Sequence, residues 1–349
     1  MRAVIQHGVR DIRVEDRPDP RILTAGDAVV RVVAACVCGS DLWGYRGLTD
    51  PGPAHPVGHE LVGIVEQVGD AVTVVKPGDF VIAPFSFSDG SCQACRHGMT
   101  SACEHRSFFS SDDSDGLAVD GAQGERSRIP MAESNLVPVP GPIDDALIPS
   151  LLTLSDVMST GHHAAVSAGV GPDTTVVVVG DGAVGLCAVL AAARLGAPRI
   201  IAMSRHADRQ QLALAFGATD IVEERGDEGV AAVQALLGGE LADAALECVG
   251  TAESMRQALG SVRGGGRVGY VGVPIGGPKL PVGQLFDRNI TVGGGMAPAR
   301  TYIPELLTDV LSGRIDPGRV FDLQLPLEDA AEGYAAMDER RAIKSLLWP

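Results

Sequence analysis

A run of valines at 176–179 leads directly into Gly180-Asp181-Gly182-Ala183-Val184-Gly185. This is a G-x-G-x-x-G pattern between a strand-type and a helix-type segment, the setting in which it holds a dinucleotide. Gly180 allows the tight turn, Gly182 lets a pyrophosphate approach the backbone, and Gly185 lets helix and strand pack closely. The helix that opens at Ala183 and Val184 then presents free N–H groups to the phosphates. An NAD site places an acidic residue about 20 positions further on, against the ribose 2′-hydroxyl. Here the next strand ends in Met203-Ser204-Arg205-His206, with no carboxylate. Ser204 can donate to a 2′-phosphate and Arg205 or His206 can pair with its charge, which favours NADP over NAD.

Three other segments carry residues of metal-ligand type: Cys38-Gly39-Ser40-Asp41, Gly58-His59-Glu60, and Asp156 within Leu154-Ser155-Asp156-Val157-Met158-Ser159-Thr160-Gly161. Each is uninformative alone. Their order ahead of a dinucleotide loop carries the weight. Cys92, Cys95 and Cys103 crowd into one short stretch, which in a reduced compartment reads as metal binding. The remaining cysteines, Cys36, Cys187 and Cys248, read as inert core residues.

The elements that position these residues fall into two textures. Short apolar or alternating runs at 4–5, 12–14, 28–33, 61–68 and 80–84 are broken by Gly, Pro and Asp, so the first 150 or so residues predict a β-rich domain. After Leu151, apolar strands at 175–179, 200–203, 220–222, 242–248 and 267–271 alternate with helices at 183–195, 208–216, 229–237 and 254–262. That alternation predicts a parallel, doubly wound sheet covered on both faces. It ends near Ile290. A helix at 304–312 and a strand at 342–347 follow. The expected α/β architecture therefore inserts a doubly wound domain, 151–287, into a β-rich one made of 1–150 and 288–349.

With 349 residues, 45% of them hydrophobic and 21% charged, the chain reads as an ordinary globular protein of about two domains. Its net charge of −16 disfavours nucleic acid and anionic membrane surfaces. No segment reads as a secretory signal or a membrane span. Seven cysteines without such a signal argue against a disulfide framework. The expected location is cytoplasmic.

The three ligand segments and the Gly loop together resemble the zinc-containing medium-chain dehydrogenase/reductase family over essentially the whole chain. The resemblance implies a GroES-like catalytic domain around a Rossmann domain. It also implies a catalytic zinc on Cys38, His59 and Asp156, with Glu60 beside it as an exchangeable ligand or a supporting group. Some members have a second Cys where this chain has Asp156. Ser40 is placed to take the alcohol proton, and Asp41 resembles the carboxylate that orients a zinc-bound His. Trp43 stands where many relatives have a relay His and is expected, with Phe85 and Met158, to line an apolar substrate pocket. Phe108 and Phe109 are further candidates for that wall. His162 and His163 are expected to pack or cap.

In relatives four cysteines hold a structural zinc. Asp89 replaces the first here, ahead of Cys92, Cys95 and Cys103, and His97 or His105 could stand in for it. Lys344 falls where relatives have a basic residue, although a surface lysine would look the same. The implied activity is reversible hydride transfer between a small alcohol and its carbonyl, in a homodimer or homotetramer joined through an edge strand near 290–295. The alternative is a metal-independent NADP-dependent enone or quinone reductase.

Overall fold

Valine is the commonest strand residue because a branched Cβ suits a pleated, buried surface and loses freedom in a helix. The computed structural model describes residues 1–277 and 279–349. They form two units, Met1–Asp156 with Pro298–Pro349, and Val157–Ala297. Among the described residues no helix is long and apolar enough to cross a membrane.

In the first unit the central strand Ala28–Cys36 is buried along nearly its whole length. It pairs antiparallel with Leu61–Val68 on one side and, on the other, with the chain's last strand Lys344–Trp348, through Leu346↔Cys36 and Leu347↔Ala35. Phe321–Pro326 adds in parallel beyond it. The C-terminal segment thus completes the N-terminal sheet and brings Lys344 to the end of the strand that leads into Cys38. Leu61–Val68 starts directly after Gly58-His59-Glu60, so both ligand segments emerge from neighbouring strands.

The second unit is a six-stranded parallel sheet. Its order is Asp220–Val222, Arg199–Met203, Thr175–Val179, Ala242–Glu247, Val262–Tyr270 and Thr291–Gly294. The chain starts in the middle and winds outward both ways, the doubly wound pattern whose ligand crevice lies at the carboxyl end of the first strand. The Gly loop sits at that end, after Val179. Helix Val157–Ser167 crosses helix Ala183–Arg194 so closely that a Cβ on Gly161 would come within 2.5 Å of the Ala188 nitrogen.

Two stretches fall elsewhere than the sequence suggests. Residues 288–297 pack with the parallel sheet and not with the β-rich unit, because Thr291–Gly294 pairs with Val262–Tyr270. Residues 151–156 pack with the β-rich unit. The strand expected at 267–271 begins at Val262 and runs through three glycines. Glycine carries no hydrophobic signal, so that part of the strand was invisible to periodicity.

Candidate metal centres and dinucleotide loop

Cys38 follows the central strand by two residues and is 8% exposed. Its backbone N–H donates to Asp41 Oδ2 at 2.9 Å, which fixes the turn into the short helix Asp41–Tyr45. The other Asp41 oxygen lies 3.3 Å from His59 Nδ1. That contact turns the far nitrogen, Nε2, toward Asp156 Oδ2 at 3.5 Å. Asp156 Oδ2 is also 3.7 Å from Cys38 Sγ. Gly58 reaches φ +91° to bring His59 in, and a Cβ there would lie 2.4 Å from Gln123 Cγ.

The donor atoms of Cys38, His59, Glu60 and Asp156 all lie within 4.8 Å of one another. Zinc bonds of about 2.0–2.3 Å in a tetrahedron separate ligand atoms by roughly 3.3–3.8 Å, so the observed spacings fit that ion. The mixture of sulfur, imidazole and carboxylate fits it as well. Two anionic ligands and a neutral imidazole would balance a divalent cation. Burial, chiefly, raises the Cys38 thiol pKa, so without a cation the sulfur keeps its proton. Burial works against a charged His59, but Asp41, Cys38 and Asp156 outweigh it and hold its pKa well above the ordinary value.

Glu60 is fully buried. Its Oε1 accepts from Lys344 Nζ at 2.7 Å, and Lys344 also donates to Val37 O at 3.1 Å. The other oxygen, Oε2, has no hydrogen-bond partner. One oxygen is thus committed to the lysine, and the other remains unsatisfied beside the ligand cluster.

Ser40 and His59 line a cavity of about 250 Å³ together with Thr49, Asp50, His55 and Ser110. Trp43 and Phe85, expected on an apolar pocket wall, do not line this cavity, and Phe109 does. Met158 is fully buried and belongs to the second unit. The expectation for Trp43 rested on its chain position by resemblance, but the direction of a side chain decides which wall it covers.

The second cluster unites Asp89, Cys92, Cys95 and Cys103, again with donor atoms within 4.8 Å. Cys92 and Cys95 sulfurs are 3.5 Å apart, near the tetrahedral edge expected for zinc thiolates. Cys103 Sγ accepts N–H groups of Asp89 and His105, each at 3.3 Å, but burial outweighs these bonds and raises the thiol pKa. Asp89 Oδ1 accepts the N–H groups of Ser91 and Cys92, and Oδ2 lies 2.7 Å from His105 Nδ1. His105, with the two N–H groups, holds the Asp89 carboxyl far below its usual range. His105 therefore partners Asp89 and does not replace it. His97 is tied to Gln93 O. Burial and the neighbouring thiols push Cys95 up to about 12, which a bound cation would reverse. Thr301 on helix Ala299–Leu311 donates to Gly98 O at 2.7 Å and anchors the lobe.

In the second unit Gly180 has φ +119°, and a Cβ on Gly185 would lie 2.0 Å from Gly180 O. Nothing stands within 4 Å of a Cβ built on Gly182, the residue preceding helix Ala183–Arg194. The first turn of that helix, with Ala183 and Val184, has no side-chain cap from Gly182, so its N–H groups suit an anion. Ser204 Oγ donates to Asp181 Oδ2 at 2.9 Å, and Arg209 Nη1 is 3.4 Å from Asp181 Oδ1. Arg205 is exposed and donates to Glu223 O. His206 precedes helix Ala207–Ala215.

Two family models match the chain, an alcohol dehydrogenase GroES-like domain over residues 24–141 and a zinc-binding dehydrogenase domain over 183–312. Zinc-type alcohol dehydrogenase B of Aspergillus flavus is 33% identical over 99% of this chain and 80% of its own length. The chain belongs to the zinc-dependent medium-chain alcohol dehydrogenase family.

Among solved members of this family, an alcohol dehydrogenase from Thermus sp. ATN1 superposes with TM-score 0.91 at 34% identity, covering 100% of this chain and 99% of the other. A zinc-binding dehydrogenase structure from Sinorhizobium meliloti 1021, bound to NADP, gives TM-score 0.83 at 25% identity, covering 100% and 99%. Within this family member, sequence reasoning missed Gln123. Its side-chain amide donates to Cys36 O and Asp41 Oδ2 and accepts from Tyr334 Oη, so it braces the Cys38–Asp41 segment. It also missed the Asp181–Arg209 pair. Neither lies in a motif. The signal available for Arg209 was only its distance from the strand end.

Proposed function

We propose that the protein is a zinc-dependent alcohol dehydrogenase that interconverts a small alcohol and its carbonyl compound, with NADP preferred over NAD. The convergence of Cys38, His59 and Asp156 at tetrahedral spacing, in a chain that also carries the Gly180–Gly185 loop, carries this reading. Zinc bound there would polarise the substrate oxygen and lower the pKa of an alcohol. Asp41 holds His59 in the tautomer that frees Nε2. Ser40, on the cavity wall beside His59, takes the alcohol proton. Glu60 keeps a carboxylate oxygen near the cluster while Lys344 neutralises its charge. The expected result is oxidation of alcohols, and reduction of the matching carbonyls, in a broad panel with both dinucleotides. A chelator should abolish it and zinc should restore it. Undiminished activity after metal removal would point to the metal-independent reductase.

The NADP preference is supported by the lack of a free carboxylate at the end of Arg199–Met203. Asp181, the acid nearest Ser204, is paired with Arg209. Arg205→Ala should raise KM for NADP by about tenfold, roughly the value of one lost charge-assisted contact, and KM for NAD by less than about twofold. Equal effects on both dinucleotides would remove Arg205 from the 2′-phosphate site.

A structural zinc on Asp89, Cys92, Cys95 and Cys103 is the parallel proposal for the lobe. Metal analysis of Cys95→Ala should find one zinc fewer per chain and a lower melting midpoint, since structural zinc contributes folding free energy. His105→Ala should weaken retention of that zinc by about 10–100-fold, as loss of an orienting partner does. Unchanged zinc content in Cys95→Ala would leave the lobe as three free thiols.

A further inference from the structure

In the parallel sheet the strand order reverses between Thr175–Val179 and Ala242–Glu247. The ligand crevice of such a sheet opens between the carboxyl ends of those two strands. One lip is the Gly180–Gly185 loop. The other is the turn Cys248-Val249-Gly250. Val179 and Glu247, the last residues of the two strands, are register partners, and the Cys248 N–H donates to Val179 O at 3.0 Å. A Cβ on Gly180 would lie 2.8 Å from Val249 Cγ2, so the two lips touch. Gly250, at φ +90°, packs so tightly that a Cβ on it would lie 2.1 Å from Val273 O.

Glu247 holds the second lip from beneath. It is 1% exposed. Its Oε1 accepts the N–H groups of Val249 at 2.8 Å and Gly250 at 2.7 Å. Its Oε2 is closed off from solvent and has no hydrogen-bond partner. Among the described residues no lysine, arginine or histidine pairs with the carboxylate. Only the partial positive charge at the start of helix Ala252–Ser261, just beyond the turn, offsets it. A glutamine would accept the same two N–H groups, so the turn by itself does not require a charge. Burying a carboxylate without a counter-charge is costly, and here that cost falls at the lip of a binding crevice.

The end of strand Arg199–Met203 belongs to the adenosine half of a dinucleotide. The nicotinamide half therefore extends across the Ala242–Glu247 side of the crevice. The oxidised nicotinamide ring carries a positive charge and the reduced ring does not. We propose that Glu247 supplies the counter-charge for the oxidised ring, so that the protein holds oxidised dinucleotide more tightly, relative to reduced, than an uncharged residue at 247 would allow. The inference rests on the dehydrogenase reading above. Glu247 acts through its field, which burial leaves largely unscreened, and needs no contact with the ligand. During turnover the same field favours carbonyl reduction. The carbonyl carbon takes the hydride, its oxygen takes a proton, and the dinucleotide is left oxidised.

The test is calorimetric titration of zinc-loaded protein with the oxidised and reduced forms of NADP and NAD, and with ADP-ribose and its 2′-phosphate, which lack the nicotinamide. Glu247→Gln should raise Kd for the oxidised form by about tenfold, and Kd for the reduced form and the ADP-ribose ligands by less than about twofold. Its melting midpoint should be no lower than that of wild type, because an unpaired buried charge is gone. Glu247→Asp keeps the charge on a shorter stem. Both forms should bind it more weakly, with the ratio of their Kd values within about twofold of wild type. That variant tests the charge even where Glu247→Gln does not fold, since a tenfold change of its ratio would overturn the inference. Equal weakening of oxidised, reduced and ADP-ribose ligands in Glu247→Gln would reduce Glu247 to a brace for the turn. An unchanged ratio with a lower melting midpoint would make its charge purely structural. Either result overturns the inference and leaves the dehydrogenase reading standing, whereas a wild type that binds no dinucleotide sinks both.

Discussion

Cys38→Ala is expected to lose one zinc per chain and at least about 1,000-fold in kcat/KM, because several kcal/mol of transition-state stabilisation depend on a metal at that site. Cys38 Sγ is one corner of a cluster whose other corners, His59 Nε2 and Asp156 Oδ2, stand 3.5 Å apart. Two remaining donors bind zinc weakly and leave its geometry open. Zinc content and turnover should fall together, and the zinc of the Asp89 lobe should stay. Asp156→Ala should behave alike. Asp156→Cys should keep the metal, since it restores an anionic ligand of a type zinc accepts at the same corner. Retention of full zinc and full turnover by Cys38→Ala would refute the ligand assignment.

The second large effect is on stability. Lys344→Met should destabilise the first unit by about 3–5 kcal/mol, the usual consequence of stranding one partner of a buried ion pair. Lys344 is 1% exposed and Glu60 fully buried, with 2.7 Å between Nζ and Oε1. Burial already raises the Glu60 carboxyl pKa, with the Lys344 charge opposing that rise. Removing the ammonium leaves an unpaired carboxylate in the core. Glu60→Gln combined with Lys344→Met should recover most of the loss, because no buried charge then remains. Urea denaturation of wild type and the two variants checks this. If Lys344→Met unfolds at the wild-type urea concentration, the pair is energetically neutral. If the double variant is no more stable than Lys344→Met, packing of the lysine stem outweighs its charge.

The dinucleotide loop and the thiol lobe were legible because their chemistry is local. Gly180, Gly182 and Gly185 act within one turn, and Asp89, Cys92 and Cys95 within two. Backbone geometry over such short spans follows from residue type alone. The alternation of apolar strands and helices was legible for the same reason, as burial on both faces leaves continuous apolar runs. Strand 262–270 was legible only in its last half, since its glycines have no side chain to report burial.

By itself, then, the sequence determined the doubly wound unit, the order of its elements, and which residue types could bind metal or phosphate. Tertiary structure alone decided what those residues face. Lys344 could have been a solvated surface charge. The pairing of the last strand with Ala28–Cys36 buries it against Glu60, 284 positions away. Ser204 reads in sequence as a free donor, and folding gives its hydroxyl to Asp181. Periodicity records how often a side chain is buried. Which partner it meets there depends on contacts between segments distant in the chain, and no local pattern encodes them.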